Sequence, residues 1–239
     1  MSKATLIFKY RAFNKSSIEL LVNKELWLAK TDSLNDPFEC QMIFNEILES
    51  IWLNYKINPE LKNKIEEETK KNLENLGVCS FSQTRQNQLM WSHYADEHRG
   101  FCIGFNKKIL LNQQPYLHEI EVNYQSDYPH KEIFLLLDYL IKHKQTDEVE
   151  AIISSITFVI MKTKYTHWSY ERELRLTRDS YGALPFTEKC VNSIVFGLRM
   201  SERDKQTLRL LLSSDEWKHL KWFQAHKSNK KFGLIFEQI

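Results

Sequence analysis

The residues best placed to do chemistry lie in Val78–Phe105, VCSFSQTRQNQLMWSHYADEHRGFCIGF, where Ser80, Ser82, Trp91, Ser92, His93, Tyr94, His98 and Arg99 crowd together. That density exceeds what a purely structural segment needs. Trp91, Tyr94 and the later Trp168 have rings that could stack on a nicotinamide, adenine or other base. His93 suits either a hydrogen-bonding anchor or a general base. A second group follows in Lys164–Leu176, KYTHWSYERELRL. Its alternation from Glu171 sets Glu171, Glu173 and Arg175 on one face of a strand and Arg172, Leu174 and Leu176 on the other, so two carboxylates share a face. A third lies in Asn35-Asp36-Pro37-Phe38-Glu39. This is either a rigid turn presenting Asp36 and Glu39, or a turn leading into a helix that starts at Pro37. Asp36, Glu39, His93, Glu97 and His98 could in principle assemble a metal site for phosphodiester hydrolysis. However, His93 and His98 are five apart and share no helix face as an HExxH pair would, so no metal is expected.

Local patterns fix the elements that must carry these groups. Val78–Ser82 alternates like a strand, and Leu89, Met90, Tyr94 and Ala95 recur at helical spacing between about Asn87 and Glu97. Gly100 supplies a left-handed stop, and Phe101–Phe105 reads as a buried strand, giving strand, helix, strand. Before this unit, Leu6–Tyr10 is a strand, Asn14 or Ser16 caps a helix over about 17–23, and Glu25–Ala29 is a strand. Residues 41–76 form a helical insertion broken near Asn58-Pro59, with a solvated charged face. After it, His118–Tyr124 alternates like a strand. Pro129 opens one helix through about Lys144 and Asp147 caps another to about Lys164, a scaffold pair over 129–164. Lys162 and Lys164 suit the negative end of that helix's dipole. Arg99 and Arg175 suit nearby carboxylates as partners. Strand 191–198, helix 202–213 and strands 220–225 and 232–237 complete the chain. The expectation is one α+β domain over 1–239, with a mixed, mostly antiparallel sheet core and the inserted helical region.

Composition narrows the function classes. A net charge of +2 is too small to argue for a nucleic-acid or membrane partner. Six glycines and the absence of GxGxxG and GxxxxGK[ST] weigh against a phosphate loop or an ordinary dinucleotide fold. Cys40, Cys79, Cys102 and Cys190 form no CxxC pair. They read as reduced, mostly buried thiols of a cytoplasmic protein without a membrane segment.

Three stretches together, Lys9-Tyr10-Arg11 with LWLAKTDSLNDPFEC, then CSFSQTRQNQLMWSHYADEHRGFCIGF, then KYTHWSYERELRL, resemble the bacterial family catalogued as domain of unknown function 2971. The resemblance implies that they meet in one site or one core. The order Arg11, Ser80-Phe81-Ser82, Glu171-Arg172-Glu173 also resembles the pattern of ADP-ribosyltransferases of the arginine, Ser-x-Ser, Glu-x-Glu type, although Cys79 stands beside the serines where that family carries threonine or serine. By that resemblance NAD is the cofactor and Arg11 holds its phosphates. Ser80 or Ser82 positions the nicotinamide ribose, with Tyr10, Trp91 and Tyr94 lining the same site. Glu173 stabilises the oxocarbenium-like cation as nicotinamide leaves, and Glu171 orients or deprotonates the acceptor. The expected activity is therefore an NAD-consuming transferase or glycohydrolase acting on a small-molecule nucleotide. Its acceptor would be a protein or nucleic acid, and its setting bacterial defence or toxicity. The alternatives are a metal-dependent nuclease or phosphohydrolase and a non-catalytic nucleotide-binding or sensing module.

Overall fold

A computed structural model describes residues 5–40, 42–53, 58–143 and 148–239. The strands are β1 (Leu6–Arg11), β2 (Glu25–Lys30), β3 (Gly77–Ser82), β4 (Phe101–Asn106), β5 (His118–Glu121), β6 (Asn123–Gln125), β7 (Thr163–Tyr165), β8 (Glu173–Arg178), β9 (Gly182–Pro185), β10 (Val191–Phe196), β11 (Lys221–Lys227) and β12 (Leu234–Gln238). The α-helices are α1 (Lys15–Val22), α2 (Met42–Trp52), α3 (Pro59–Asn75), α4 (Gln88–Tyr94), α5 (Lys107–Gln113), α6 (His130–His143), α7 (Val149–Lys162) and α8 (Glu202–Leu211). They make one α+β domain around a mixed, mostly antiparallel sheet of ten strands. Within that sheet only β10 and β11 run parallel among the described residues.

The sheet divides at β3. One flank of β3 pairs with β8 along its whole length, from Gly77↔Arg178 to Ser82↔Glu173. The other flank is shared: β2 pairs at Gly77 and Val78, while β1 pairs at Ser82 through the single rung Phe8↔Ser82. Between these rungs Cys79, Ser80 and Phe81 have no strand partner on that flank among the described residues. The Lys9 ammonium occupies part of the gap and donates to the Ser80 carbonyl at 3.0 Å. Otherwise β1 continues into β4, β10, β11 and β12, and β3 into β8 and β5, so two half-sheets meet at one rung.

Period-two alternation sorts the strand side chains into separate cores. Ile7, Leu26, Leu28, Cys79, Phe81, Leu174 and Leu176 enter one apolar cluster with Phe101, Ile103, Phe105, Ile194 and Phe196. Phe8 and Tyr10, on the opposite side of β1, pack with Met90, Trp91 and Ala95 of the α4 segment. Val78 and Ile120 pack under α2, α3, α6 and α7. Each fully buried Leu or Ile contributes roughly 1.5–3 kcal/mol, so these faces hold the half-sheets firmly. The polar residues Ser80, Ser82, Glu173 and Arg175 alternate with the apolar ones and emerge between the second and third clusters.

Several expectations change. No helix starts at Pro37: residues 37–40 form turns, the Asp36 carboxylate accepts from Phe38 N at 3.0 Å, and α2 begins at Met42. Lys107–Gln113 is helix α5 although it reads as a polar stretch, because Lys107 is buried against Glu119 at 2.7 Å and Leu110 enters the core. The run His118–Tyr124 is two short strands, β5 on β8 and β6 in a separate parallel ribbon with β7. Asp147, expected to cap a helix, lies outside the described residues, as does Lys144.

Gly100 also has a different purpose from the one its position suggests. Helix α4 ends at Tyr94, and the left-handed residues are Asp96, Glu97 and His98, with φ of 46°, 50° and 71°. Gly100 is required by close approach: a Cβ there would lie 2.1 Å from the Arg11 carbonyl oxygen and 3.0 Å from Ala12 Cα. Gly100→Ala should therefore push on the backbone at the end of β1 and cost about 2–3 kcal/mol. A thermal unfolding midpoint equal to that of the wild type would contradict this packing.

Candidate functional site

A cavity of about 550 Å³ opens where β1 and β2 part from one another across β3. Its walls come from all three stretches singled out in the sequence. Tyr10 and Arg11 come from β1, Ser80 and Ser82 from β3, Asp36 and Glu39 from the Asn-Asp-Pro corner, and Tyr94 from α4. Lys164, Trp168, Glu171 and Glu173 come from the late stretch.

Four buried charged side chains, Glu39, Lys164, Glu171 and Glu173, form the floor of one end, and Arg175 lies wholly buried beneath them. The Lys164 ammonium lies 2.8 Å from Glu39 Oε1, 2.7 Å from Glu171 Oε2 and 3.0 Å from Glu173 Oε2. Arg175 donates from Nε to Glu173 Oε1 and from Nη2 to Glu39 Oε2, both at 2.9 Å, while its Nη1 donates to the Met161 carbonyl. Three carboxylates thus face two cations. The Tyr94 hydroxyl donates to Glu171 Oε1 at 2.6 Å, and Glu173 N donates to the Tyr124 hydroxyl at 2.7 Å. The β6–β7 ribbon sets Tyr124 directly beside Lys164, so both reach Glu173.

Burial alone would lower the Lys164 ammonium, but the three carboxylates outweigh it and hold it well above the usual lysine range. Burial alone would raise Glu173, but Arg175 and Lys164 hold it down to about 2, so it is a fixed negative charge. At Glu39 burial wins over the same cations and pushes the carboxyl up. Burial, with the bond to Glu171, raises the Tyr94 hydroxyl, and burial pushes Tyr124 up to about 12.

Local backbone geometry explains how the two glutamates meet. The strand begins at Glu173, not Glu171 as the alternation suggested. Residues Thr166–Glu171 form a 3-10 turn, and Arg172 is left-handed with φ of 46°. This kink turns Glu171 toward Lys164. Ser82 Oγ donates to the Glu171 carbonyl at 2.6 Å, and Ser80, opposite Arg175 on the β3–β8 ladder, lines the cavity with Glu173. Ser82 therefore fixes the backbone of Glu171.

The Arg11 end is built by β1 and α1. Arg11 projects from the side of β1 opposite Tyr10 and reaches the cavity through the gap. It donates to Ser17 Oγ at 3.0 Å and to Ser16 Oγ at 2.8 Å in the first turn of α1. That turn is capped by Asn14, which accepts from Ser17 N. At about 3.4 Å per residue along β1, Arg11 stands roughly 10 Å from the Phe8↔Ser82 rung. Arg11 and the positive end of the α1 dipole thus stand together there, with Glu19 also bordering the cavity.

Not every expected site residue joins this group. Tyr10 borders the cavity while its hydroxyl holds the Thr84 carbonyl at 2.9 Å. Trp91 is wholly buried, donates to the Arg85 carbonyl and packs edge-on against Tyr10 at 5.1 Å, so its ring serves the core and faces no ligand. His93 is exposed at the end of α4, 6.1 Å from the Tyr170 ring, and does not line the cavity. His98 stacks on Trp91 and is likewise outside the lining. Among the described residues no group of three or more His, Cys, Asp and Glu is arranged to hold a metal. Sequence reasoning missed Lys164 as the hub, because a lysine just past a helix gives no sign of burial. It also missed Glu39 as a partner of Arg175; the rigid corner was the one signal for it.

Removing one member of a buried ionic cluster leaves an uncompensated charge and costs about 3–5 kcal/mol. Lys164→Met and Glu173→Gln should each lose that much at pH 7 by chemical denaturation, and Glu39→Gln markedly less, since burial already disfavours its charge. For Glu173 the folded value lies below the ordinary 4.5, so its contribution is complete above about pH 4.5 and is lost as pH falls toward 2. Wild-type stability should decline over that window more steeply than that of Glu173→Gln; parallel curves would contradict the assignment.

No curated protein and no solved structure matches the chain. A family model matches from α4 to β8, so Tyr94, Lys164, Glu171, Glu173 and Arg175 lie within its span while Arg11, Ser80 and Ser82 lie outside it. Residues 90–176 match the family described as protein of unknown function (DUF2971), the family to which the three stretches pointed.

Proposed function

We propose that the cavity binds NAD and that the chain cleaves its N-glycosidic bond, passing ADP-ribose to an acceptor or to water. One observation carries this reading: Arg11, Ser80-Phe81-Ser82 and Glu171/Glu173, far apart in the chain, sit on or beside the adjoining strands β1, β3 and β8 and border one cavity. The polarity of that cavity suits the substrate. Phosphates lie toward Arg11 and α1, and the nicotinamide ribose lies over the carboxylates.

In the reaction the bond between ribose C1′ and the nicotinamide nitrogen breaks, and its electron pair leaves with neutral nicotinamide. Positive charge develops on the ribose. Glu173, kept ionised by Arg175 and Lys164, stabilises that charge, and a carboxylate fixed beforehand in a desolvated floor needs no reorganisation to do so. Glu171, held by Tyr94 and Lys164, orients the attacking group and takes its proton as the new bond to C1′ forms. Ser82 acts through Glu171, whose carbonyl it holds, and Ser80 borders the same end of the cavity. Lys164 and Arg175 keep the carboxylates in place and prevent the site from carrying three uncompensated negative charges.

The deciding measurement is nicotinamide release from NAD by purified protein, alone and with cellular protein or nucleic acid added. Glu173→Gln should reduce release by 100-fold or more, on the order of an electrostatic transition-state contact. Arg11→Ala should mainly raise KM, by about tenfold, as loss of a phosphate contact predicts. Folding of each variant is checked by circular dichroism. Wild type that releases no nicotinamide but cuts nucleic acid when metal is supplied would replace this reading with a phosphohydrolase. Nucleotide binding without turnover in either assay would replace it with a sensing module.

A further inference from the structure

The chain has six tryptophans, and their burial is uneven. Trp52, Trp91 and Trp217 are buried, and Trp168 and Trp222 are half-buried. Trp27 is 66% exposed and still lines the cavity. Its strand explains the orientation: Leu26 and Leu28 enter the main core, so Glu25, Trp27 and Ala29 face the other way, on the side of β3 that carries Ser80 and Ser82. Trp27 pairs with Ala183 on β9, whose small side chain leaves the indole face uncovered. Among the described residues no ring packs on it and its N–H has no hydrogen-bond partner.

The surroundings say what such a ring would meet. Helix α1 runs from Arg11's partners Ser16 and Ser17 to Asn23, and β2 follows at Glu25. Ser16, Glu19, Asn23, Glu25 and Trp27 all border the cavity with Arg11, and Trp27 lies on β2, on the flank of β3 opposite β8 and its glutamate. An indole left open to water on the rim of a cavity that Arg11 also borders is suited to cover the flat face of a base.

We propose that Trp27 is the stacking platform for the adenine of the bound dinucleotide, and therefore the residue that makes the cavity select an adenine nucleotide over its nicotinamide half alone. The proposal rests on the NAD reading for the identity of the ligand. It assigns a role to β2, a strand that the motif comparison with ADP-ribosyltransferases did not single out.

The test compares wild type, Trp27→Ala and Trp27→Phe by calorimetric titration with ADP-ribose, adenosine monophosphate and nicotinamide mononucleotide, with nicotinamide release from NAD measured alongside. Trp27→Ala should weaken ADP-ribose and adenosine monophosphate by about tenfold or more, while Trp27→Phe retains most of the affinity and nicotinamide mononucleotide is unaffected. Equal affinity of Trp27→Ala and wild type for ADP-ribose would overturn the stacking role while leaving any NAD turnover intact. Adenine-nucleotide binding that depends on Trp27, in a protein that never turns over NAD, would keep the stacking site and remove the transferase reading. Wild type that binds none of the three would overturn both.

Discussion

The buried contact between Lys164 and three carboxylates is the constraint on which the site depends. It joins three segments: the corner after β2, the ribbon that follows α7, and the start of β8. An ammonium removed from water is costly unless its charge is matched, and here Glu39, Glu171 and Glu173 all lie within 3.0 Å of it. Arg175 then shares Glu39 and Glu173 from the strand itself, which ties both carboxylates to β8. The cluster is expensive compared with an apolar core of the same size, and a protein that needed stability alone would gain little from it. Its orientation toward a cavity makes it a device for holding charge in place. Tyr94 donates to the Glu171 carboxylate, while Tyr124 and Ser82 hold the backbone of Glu173 and Glu171.

The opening in the sheet has an equally local origin. A strand that carries serines on one side and Cys79 and Phe81 on the other can be buried on both faces, but its flank is shared between β1 and β2, which reach it at opposite ends. Strand β1 is drawn away because it must pair with β4 along all six of its residues. At its end the bare backbone of Gly100 lets the chain pass close to Arg11. Residue types at three distant positions thereby produce one polar gap in an otherwise apolar frame.

Much of this was legible in the sequence. Asn14 before α1, the strand–helix–strand of residues 77–106 and the apolar face of α7 follow from spacing and capping alone, and each is found close to where the pattern sets it. What escaped has a common physical cause: it depends on partners distant in sequence. Nothing local marks Lys164 as buried, because its partners lie at residues 39, 171 and 173. Trp91 has the chemistry of a stacking wall, yet its position on α4 puts it beneath the third core, while Trp27, unremarked in its strand, is the indole on the rim. Alternation from Glu171 gave the correct set of co-facing carboxylates for an incomplete reason, since a left-handed Arg172 stands between them.

The single rung between Phe8 and Ser82 has a thermodynamic consequence. The two half-sheets are each well paired internally, and across the gap they share few polar contacts, so a molecule seated there would touch both and substitute for missing rungs. Whatever binds to the folded chain and not to the unfolded one adds RT ln(1 + [L]/Kd) to its stability. Occupancy of the cavity and resistance to unfolding are thus linked quantities in this protein. The lifetime of the folded chain would then follow the concentration of any molecule that occupies the cavity, as well as its own sequence.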